Sequence, residues 1–202
     1  MVDYSIENEY REKGFDIICG VDEAGRGPLA GPVYAAAVIL PSDCVIEGLN
    51  DSKKLTEKKR EKLFDEIKEK ALAYGIASAD EKEIDEINIL NATFLAMKRA
   101  IASLSVKPDL ALIDGNQKPH TDIEEVTVIK GDAKSMSIAA ASVLAKVSRD
   151  RFMLEMAEKY PQYEFARHKG YGTKLHYEKI AQYGVCDIHR RTFLKKILGE
   201  QK

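Results

Sequence analysis

With 202 residues, 45% of them hydrophobic and 32% charged, the chain has a folded, globular profile and room for one large domain or a domain with a small appendage. Its longest apolar run, Val33 to Leu40, is far shorter than the ~18 residues that a membrane-spanning helix needs, and the acidic residues after Met1 fit neither a secretory signal nor an Arg-rich transit peptide; a cytoplasmic protein is expected. A formal net charge of -2 excludes a bulk basic footprint for nucleic acid. The average hides an asymmetry: residues 161–202 carry a net +5 and three of the four histidines, whereas the first 160 residues carry -7. A basic segment behind an acidic body can meet a polyanion locally, and scattered lysines on terminal helices give the same count. Cys19, Cys44 and Cys186 are odd in number and form no C-x-x-C pair, so neither a disulfide framework nor a zinc site fits. Cys19 reads as a small buried strand residue.

In chain order, Phe15 to Val21 and Val33 to Leu40 read as two strands, and their short connection suggests an antiparallel pair. That connection, Glu23 to Pro32, is rich in turn formers. Thr56 is a candidate helix N-cap, with Leu63, Phe64, Ile67 and Ala71 on one face of the helix that follows. Tyr74 to Ser78 is a candidate third strand. The charged stretch Asp80 to Glu86 reads as a solvated face leading into a helix, with Leu90, Phe94, Met97 and Ile101 at helical spacing. Leu110 to Ile113 and Val126 to Ile129 are continuous apolar runs of the kind a sheet covered on both faces requires. An Ala-rich helix runs from Ser135 to about Tyr160, apolar on nearly every face between Ile138 and Val147, and Pro161 stops it. Shorter helical pieces follow. The expected fold class is α/β: a hairpin, strand–helix alternation over residues 1–160, and a helical C-terminal appendage, residues 161–202, packed on the same body.

Four acids share one context. Asp22 and Glu23 close the first strand, Asp114 closes the Leu110–Ile113 run, and Asp132 follows the Val126–Ile129 run, each beside glycine or small residues. Ligands collect at the carboxyl ends of strands in α/β sheets, and glycine lets the backbone approach closely. Converging carboxylates repel and call for cations or raised pKa values. An all-oxygen set suits hard Mg2+ or Mn2+, and two such ions ~3.5–4 Å apart carry out phosphodiester hydrolysis. Strand-end acids that satisfy loop amides are the competing reading. Adjacent Asp22 and Glu23 point to opposite faces of a regular strand, so their sharing one site predicts a departure from strand geometry at Ala24-Gly25.

Gly25-x-Gly27-x-x-Ala30 matches a loose dinucleotide pattern, but that motif must open a helix, and here Pro28, Pro32 and a strand at Val33 intervene. A backbone-exposing turn beside the acids fits better, with Arg26 able to hold a phosphate.

Gly20-Val21-Asp22-Glu23-Ala24-Gly25-Arg26-Gly27-Pro28-Leu29-Ala30-Gly31-Pro32-Val33 resembles the N-terminal signature of the ribonuclease HII family. Matching blocks follow in family order: Asp51-Ser52-Lys53-Lys54-Leu55, Ile87-Asn88-Ile89-Leu90, Ile113-Asp114-Gly115, Lys130-Gly131-Asp132-Ala133, Ala139-Ala140-Ala141-Ser142, Lys169-Gly170-Tyr171-Gly172-Thr173 and His189-Arg190-Arg191-Thr192-Phe193. The resemblance covers about residues 16–196. It implies an RNase H-like mixed β-sheet flanked by helices, and an endonuclease that cuts RNA in RNA–DNA hybrids and 5′ of single ribonucleotides in duplex DNA, leaving 3′-hydroxyl and 5′-phosphate ends. It places the metal-site acids on Asp22, Glu23, Asp114 and Asp132, a turn that senses the 2′-hydroxyl on Gly25-Arg26-Gly27, and the substrate tyrosine on Tyr171. Lys53 and Lys54 become candidate phosphate contacts, with solvated surface lysines as the plain alternative. His168, His176 and His189 are read as structural, and His120 is given no role. Asp187 stands where the family often has proline, so the local turn is expected to differ. The final residues carry no clear clamp-binding peptide, and a monomer without an obligate protein partner is expected.

A non-catalytic hybrid-binding module and a DNA-junction nuclease of the same fold are the competing functions. Intact acids at all four positions disfavour the first, and the Gly25–Gly27 turn with Tyr171 disfavours the second.

Overall fold

The computed structural model describes residues 2–199; the side chain of Lys54 and residues 200–202, within the stretch read for a clamp-binding peptide, lie outside the described residues. Five strands, β1 (Ile18–Ala24), β2 (Val33–Ile39), β3 (Ala73–Ala79), β4 (Leu110–Asp114) and β5 (Glu124–Val128), form one mixed sheet in the order β3-β2-β1-β4-β5. β2 is antiparallel to β1 and β3, whereas β1, β4 and β5 run parallel. The helices are α1 (Ser5–Glu12), α2 (Glu57–Lys70), α3 (Glu81–Ala102), α4 (Met136–Lys159), α5 (Phe165–His168), α6 (Lys174–Tyr183) and α7 (Arg191–Leu198). Among the described residues no helix is long and apolar enough to cross a membrane.

Strand periodicity sorts the sheet into two faces. Ala36 and Val38 of β2 join Ala139, Ala140 and Val143 of α4 and Leu63, Phe64 and Ile67 of α2 in one core. Ala35, Ala37 and Ile39 join Ala92, Ala96 and Ala100 of α3 in the other. The small residues are needed for the fit: a Cβ on Gly20 would come within 2.1 Å of the Ser137 carbonyl carbon, so glycine lets the start of α4 lie directly on β1. Glu7 of α1 is buried at that helix start, accepting from Ser135 Oγ (2.6 Å) and the Ser137 amide (3.0 Å), where a carboxylate also suits the helix dipole.

Three sequence expectations shift. β1 begins at Ile18 rather than Phe15 because its parallel partner starts there, with Ile18 opposite Leu110, while the Asp16 and Ile17 amides turn instead to the Asp109 carboxylate. It then runs on through Asp22 and Glu23 to Ala24. β5 starts at Glu124 rather than Val126 and ends before Ile129, which is exposed; buried Glu125 closes the preceding loop by accepting from the His120 and Thr121 amides. The acidic stretch before Leu90 is already helical, held by a capping box between Asp80 and Glu83, and α3 kinks at Asn88, whose side chain caps the second half at Leu90 and Asn91.

The C-terminal region closes over the β1–β2 connection. Leu29 and Arg190 donate backbone bonds to Gly170 and Leu29 respectively, Gly31 donates to Ile188, and Ala30 packs with Met153, Tyr163, Phe165 and Ile188.

Candidate active site at the carboxyl ends of β1 and β4

Gly20 is level with Leu112 in the parallel β1–β4 register, so Asp22 and Asp114, each two residues further on, come side by side on the α4 face. Pairing with β4 ends at Val21, whereas pairing with β2 continues to Ala24. The last residues of β1 therefore have an open edge toward β4. Glu23 alternates to the other face, yet its carboxyl reaches the same group across that edge, with Asp114 raising its proton affinity. The chain keeps strand geometry through Ala24 and leaves it at Gly25, where φ is +99°, so the departure expected at Ala24-Gly25 comes just after the two acids rather than between them. Asp132 arrives from the 3-10 turn Gly131–Ala133 that precedes α4. That turn is tied to β4 by the Gly131 amide, which donates to Asp114 Oδ1 at 2.6 Å.

The four acids are held in costly surroundings. Burial pushes the Asp22 carboxyl well above the usual carboxylate range, and Glu23 and Asp114 add to this, against a hydrogen bond from Ser142. Burial also raises Glu23, with Arg26 opposing and Asp114 reinforcing. Asp132 is raised by burial and then by Asp114 and Asp51. Asp51 is an acid of the site that the sequence shows only as part of a family block. Its carboxylate accepts from the Lys53 amide (2.9 Å), and Ser52 beside it bonds Ser142 of α4 (2.8 Å), which carries the turn to the cluster. The nearby cations bind loosely: Lys53 Nζ lies 3.7 Å from Asp132 and Arg26 NH1 3.5 Å from Glu23. Desolvation opposes the Lys53 charge, but Asp22, Asp132, Asp51 and Asp114 outweigh it and hold the ammonium above its ordinary range. Among the described residues no three His, Cys, Asp or Glu side chains stand in ready ligating geometry, so the carboxylates are neighbours rather than a closed shell. An all-oxygen set of crowded, partly compensated acids nonetheless fits hard divalent cations.

Beside the acids, Glu23, Arg26, Ser52, Lys53, Lys146 and Tyr171 line a cleft of about 210 Å³. Gly25 is buried at φ +99°, and Arg26 and Gly27 are exposed. Tyr171 is half-exposed, its ring within 5.9 Å of Lys146 Nζ and 5.6 Å of the Arg149 guanidinium carbon. The fold therefore brings Asp22, Glu23, Asp114, Asp132, Gly25, Arg26, Gly27, Lys53 and Tyr171 to one region; the Lys54 side chain lies outside the described residues.

A sequence model of the ribonuclease HII family matches residues 19–196. The chain belongs to the ribonuclease HII family. It is 58% identical over 196 residues to a ribonuclease HII of Caldicellulosiruptor bescii, covering 97% of this chain and 95% of the relative. A ribonuclease HII of Acetivibrio thermocellus is 60% identical over 192 residues, 95% of this chain and 75% of the relative. Among solved structures, the ribonuclease H2 of Pyrococcus horikoshii superposes with a TM-score of 0.76 at 30% identity, covering 92% of this chain and 97% of that one. The architecture is thus the RNase H-like mixed sheet with a helical C-terminal region, and the enzyme is a ribonuclease H, an endoribonuclease of RNA–DNA hybrids.

Two of the four histidines, His176 and His189, form a buried chain under the Tyr171 segment. The Cys186 amide donates to His189 Nδ1 (2.9 Å), so the His189 proton sits on Nε2, 3.1 Å from His176 Nε2. His176 then carries its proton on Nδ1 and donates to the Tyr171 carbonyl at 3.0 Å. The amide at one end and the carbonyl at the other fix the same neutral tautomers. Burial pushes His176 and His189 down to about 4. Cys19 is buried in the core and its thiol is pushed up to about 12 by that burial, so it stays a protonated packing residue.

Proposed function

We propose that the enzyme cuts 5′ of single ribonucleotides embedded in duplex DNA as well as within longer hybrids, by two-metal-ion hydrolysis leaving 3′-hydroxyl and 5′-phosphate ends. Asp22, Glu23, Asp114 and Asp132 would hold the ions, and Mg2+ or Mn2+ there would supply activation of a water and stabilisation of the leaving oxygen. Arg26 and Lys53 draw the backbone phosphate over the acids, and Lys54 joins them on the strength of its sequence block alone. The Gly25-Arg26-Gly27 backbone reads the 2′-hydroxyl, the group that separates RNA from DNA, while the Tyr171 ring packs against the neighbouring sugar. Residues 1–160 act as the catalytic body and residues 161–202 as the appendage that completes the cleft, working as a cytoplasmic monomer. The observation that carries this reading is the β1–β4 register, which sets Asp22 beside Asp114, with Glu23 next to Asp22 lining a cleft shared by Arg26 and Tyr171.

The test is a labelled duplex with one internal ribonucleotide, incubated with Mg2+ or Mn2+. A single nick on the 5′ side, absent with an all-DNA duplex and with Asp22→Asn, is expected. Cleavage that survives Asp22→Asn would overturn the metal-site assignment.

A further inference from the structure

Two arginines, Arg149 of α4 and Arg190 at the start of α7, are fully buried beneath the Gly25–Gly27 turn. Among the described residues neither forms an ion pair. A buried charge without a carboxylate is expensive unless hydrogen bonds replace its water, and here each guanidinium nitrogen meets a backbone carbonyl. Arg190 donates from Nε to Gly31 (2.8 Å), from NH1 to Arg26 (2.9 Å) and from NH2 to Gly25 (2.6 Å). Arg149 donates to Pro32 (3.1 Å), Lys169 (3.0 Å) and Ala30 (3.1 Å), with Tyr171 beside it. Gly25 has no room for a side chain because Arg149 passes under it: a Cβ there would lie 2.1 Å from Nε.

The consequence follows from peptide geometry. A trans peptide points its C=O and N–H in opposite directions, and the chain contains no cis bond among the described residues. Arg190 draws the Gly25 and Arg26 carbonyls inward, so the N–H groups of Arg26 and Gly27 are turned away from it, at the exposed crest of the turn. Hydrogen bonding of each carbonyl to a cation also polarises the same peptide and strengthens its outward donor.

We propose that Arg190 is the positioning residue for sugar discrimination: by fixing two consecutive peptide planes it presents the Arg26 and Gly27 amides as a preformed donor pair for the ribonucleotide 2′-oxygen. This rests on the reading of the turn given above. Its cost is met before substrate arrives, so that binding a ribonucleotide orders nothing new. Lysine keeps the charge of Arg190 but cannot span three carbonyls.

The experiment compares the affinity of wild type and Arg190→Lys for a duplex with one ribonucleotide and for the all-DNA duplex, with Ca2+ replacing Mg2+ and melting curves confirming the folded state. The expected result is a ribonucleotide preference in wild type that falls at least tenfold in Arg190→Lys, with all-DNA affinity within about twofold. A folded Arg190→Lys that keeps the preference overturns the proposal. Should Arg190→Lys fail to fold, Gly27→Pro decides: it deletes one donor at an open surface position where a Cβ meets nothing within 4 Å. Loss of preference there supports the proposal and retention overturns it. A wild type without any ribonucleotide preference instead refutes the reading of the turn.

Discussion

At the ends of β1 and β4, Asp22, Glu23, Asp114 and Asp132 crowd together against their own repulsion, and their cations stand 3.5 Å or more away. On the other side of the Gly25–Gly27 turn, Arg149, Arg190, His176 and His189 are as deeply buried, yet each meets a matched backbone or side-chain partner at about 3 Å. The first cluster keeps a deficit that a ligand can relieve. The second has none and can only hold its neighbours still. Burial of polar groups thus serves opposite ends on the two sides of one turn, and partner geometry rather than burial separates the candidate site from its support.

Asp22→Asn breaks the contrast most sharply. Cleavage should fall by at least ~100-fold, since even residues that merely support a metal ligand cost 10–100-fold. In EDTA the same change should raise the melting temperature, because it removes a buried charge from beside Glu23 and Asp114. An Asp22→Asn variant less stable than wild type in EDTA would show that the acids are not in deficit. Arg149→Met should do the reverse, leaving three carbonyls without donors; at ~1–3 kcal/mol for each unpaired group, a drop of about 10 °C in a thermal melt is expected.

Acidification should probe the histidine chain. The folded protein refuses a proton at His176 and His189 until about pH 4, whereas the unfolded chain takes one near 6.5. Protons are then bound by the unfolded state alone, so stability is complete above 6.5 and is lost as pH falls toward 4, by on the order of 3 kcal/mol per histidine. His189→Asn should flatten this part of a pH–stability curve; an unchanged slope would mean that the chain is not held neutral. The smallest effect belongs to Lys53→Ala, which should raise KM a few-fold and lower the slope of log affinity against log salt by about one, while leaving the melting temperature near that of wild type.

Continuous apolar runs make β2 and β4 legible in the sequence, and the Ala-rich stretch from Ile138 to Val147 marks α4 as a buried helix, because hydrophobic period depends on local sequence alone. The acids Asp22, Glu23, Asp114 and Asp132 are legible as strand-end residues for the same reason. α1 is not, because Ser5–Glu12 offers few apolar residues, its contribution being one buried carboxylate that caps a helix distant in sequence. β5 reads two residues late because Glu125 is buried and Ile129 is not, and only the loop folding back onto Glu125 decides that. Asp51 joins the acids through a serine pair spanning residues 52 and 142, which no spacing rule contains. Charged side chains read from sequence as surface, so nothing local betrays the burial of Arg149 and Arg190; the β1–β2 connection supplies five of the six carbonyls that make it tolerable, and the C-terminal region supplies that of Lys169. Sequence alone therefore determined which residues are candidates for the chemistry, since residue type and period are local properties. Tertiary structure decided which of them meet and which are held rigid, since hydrogen-bond partners far apart in the chain are set only by packing.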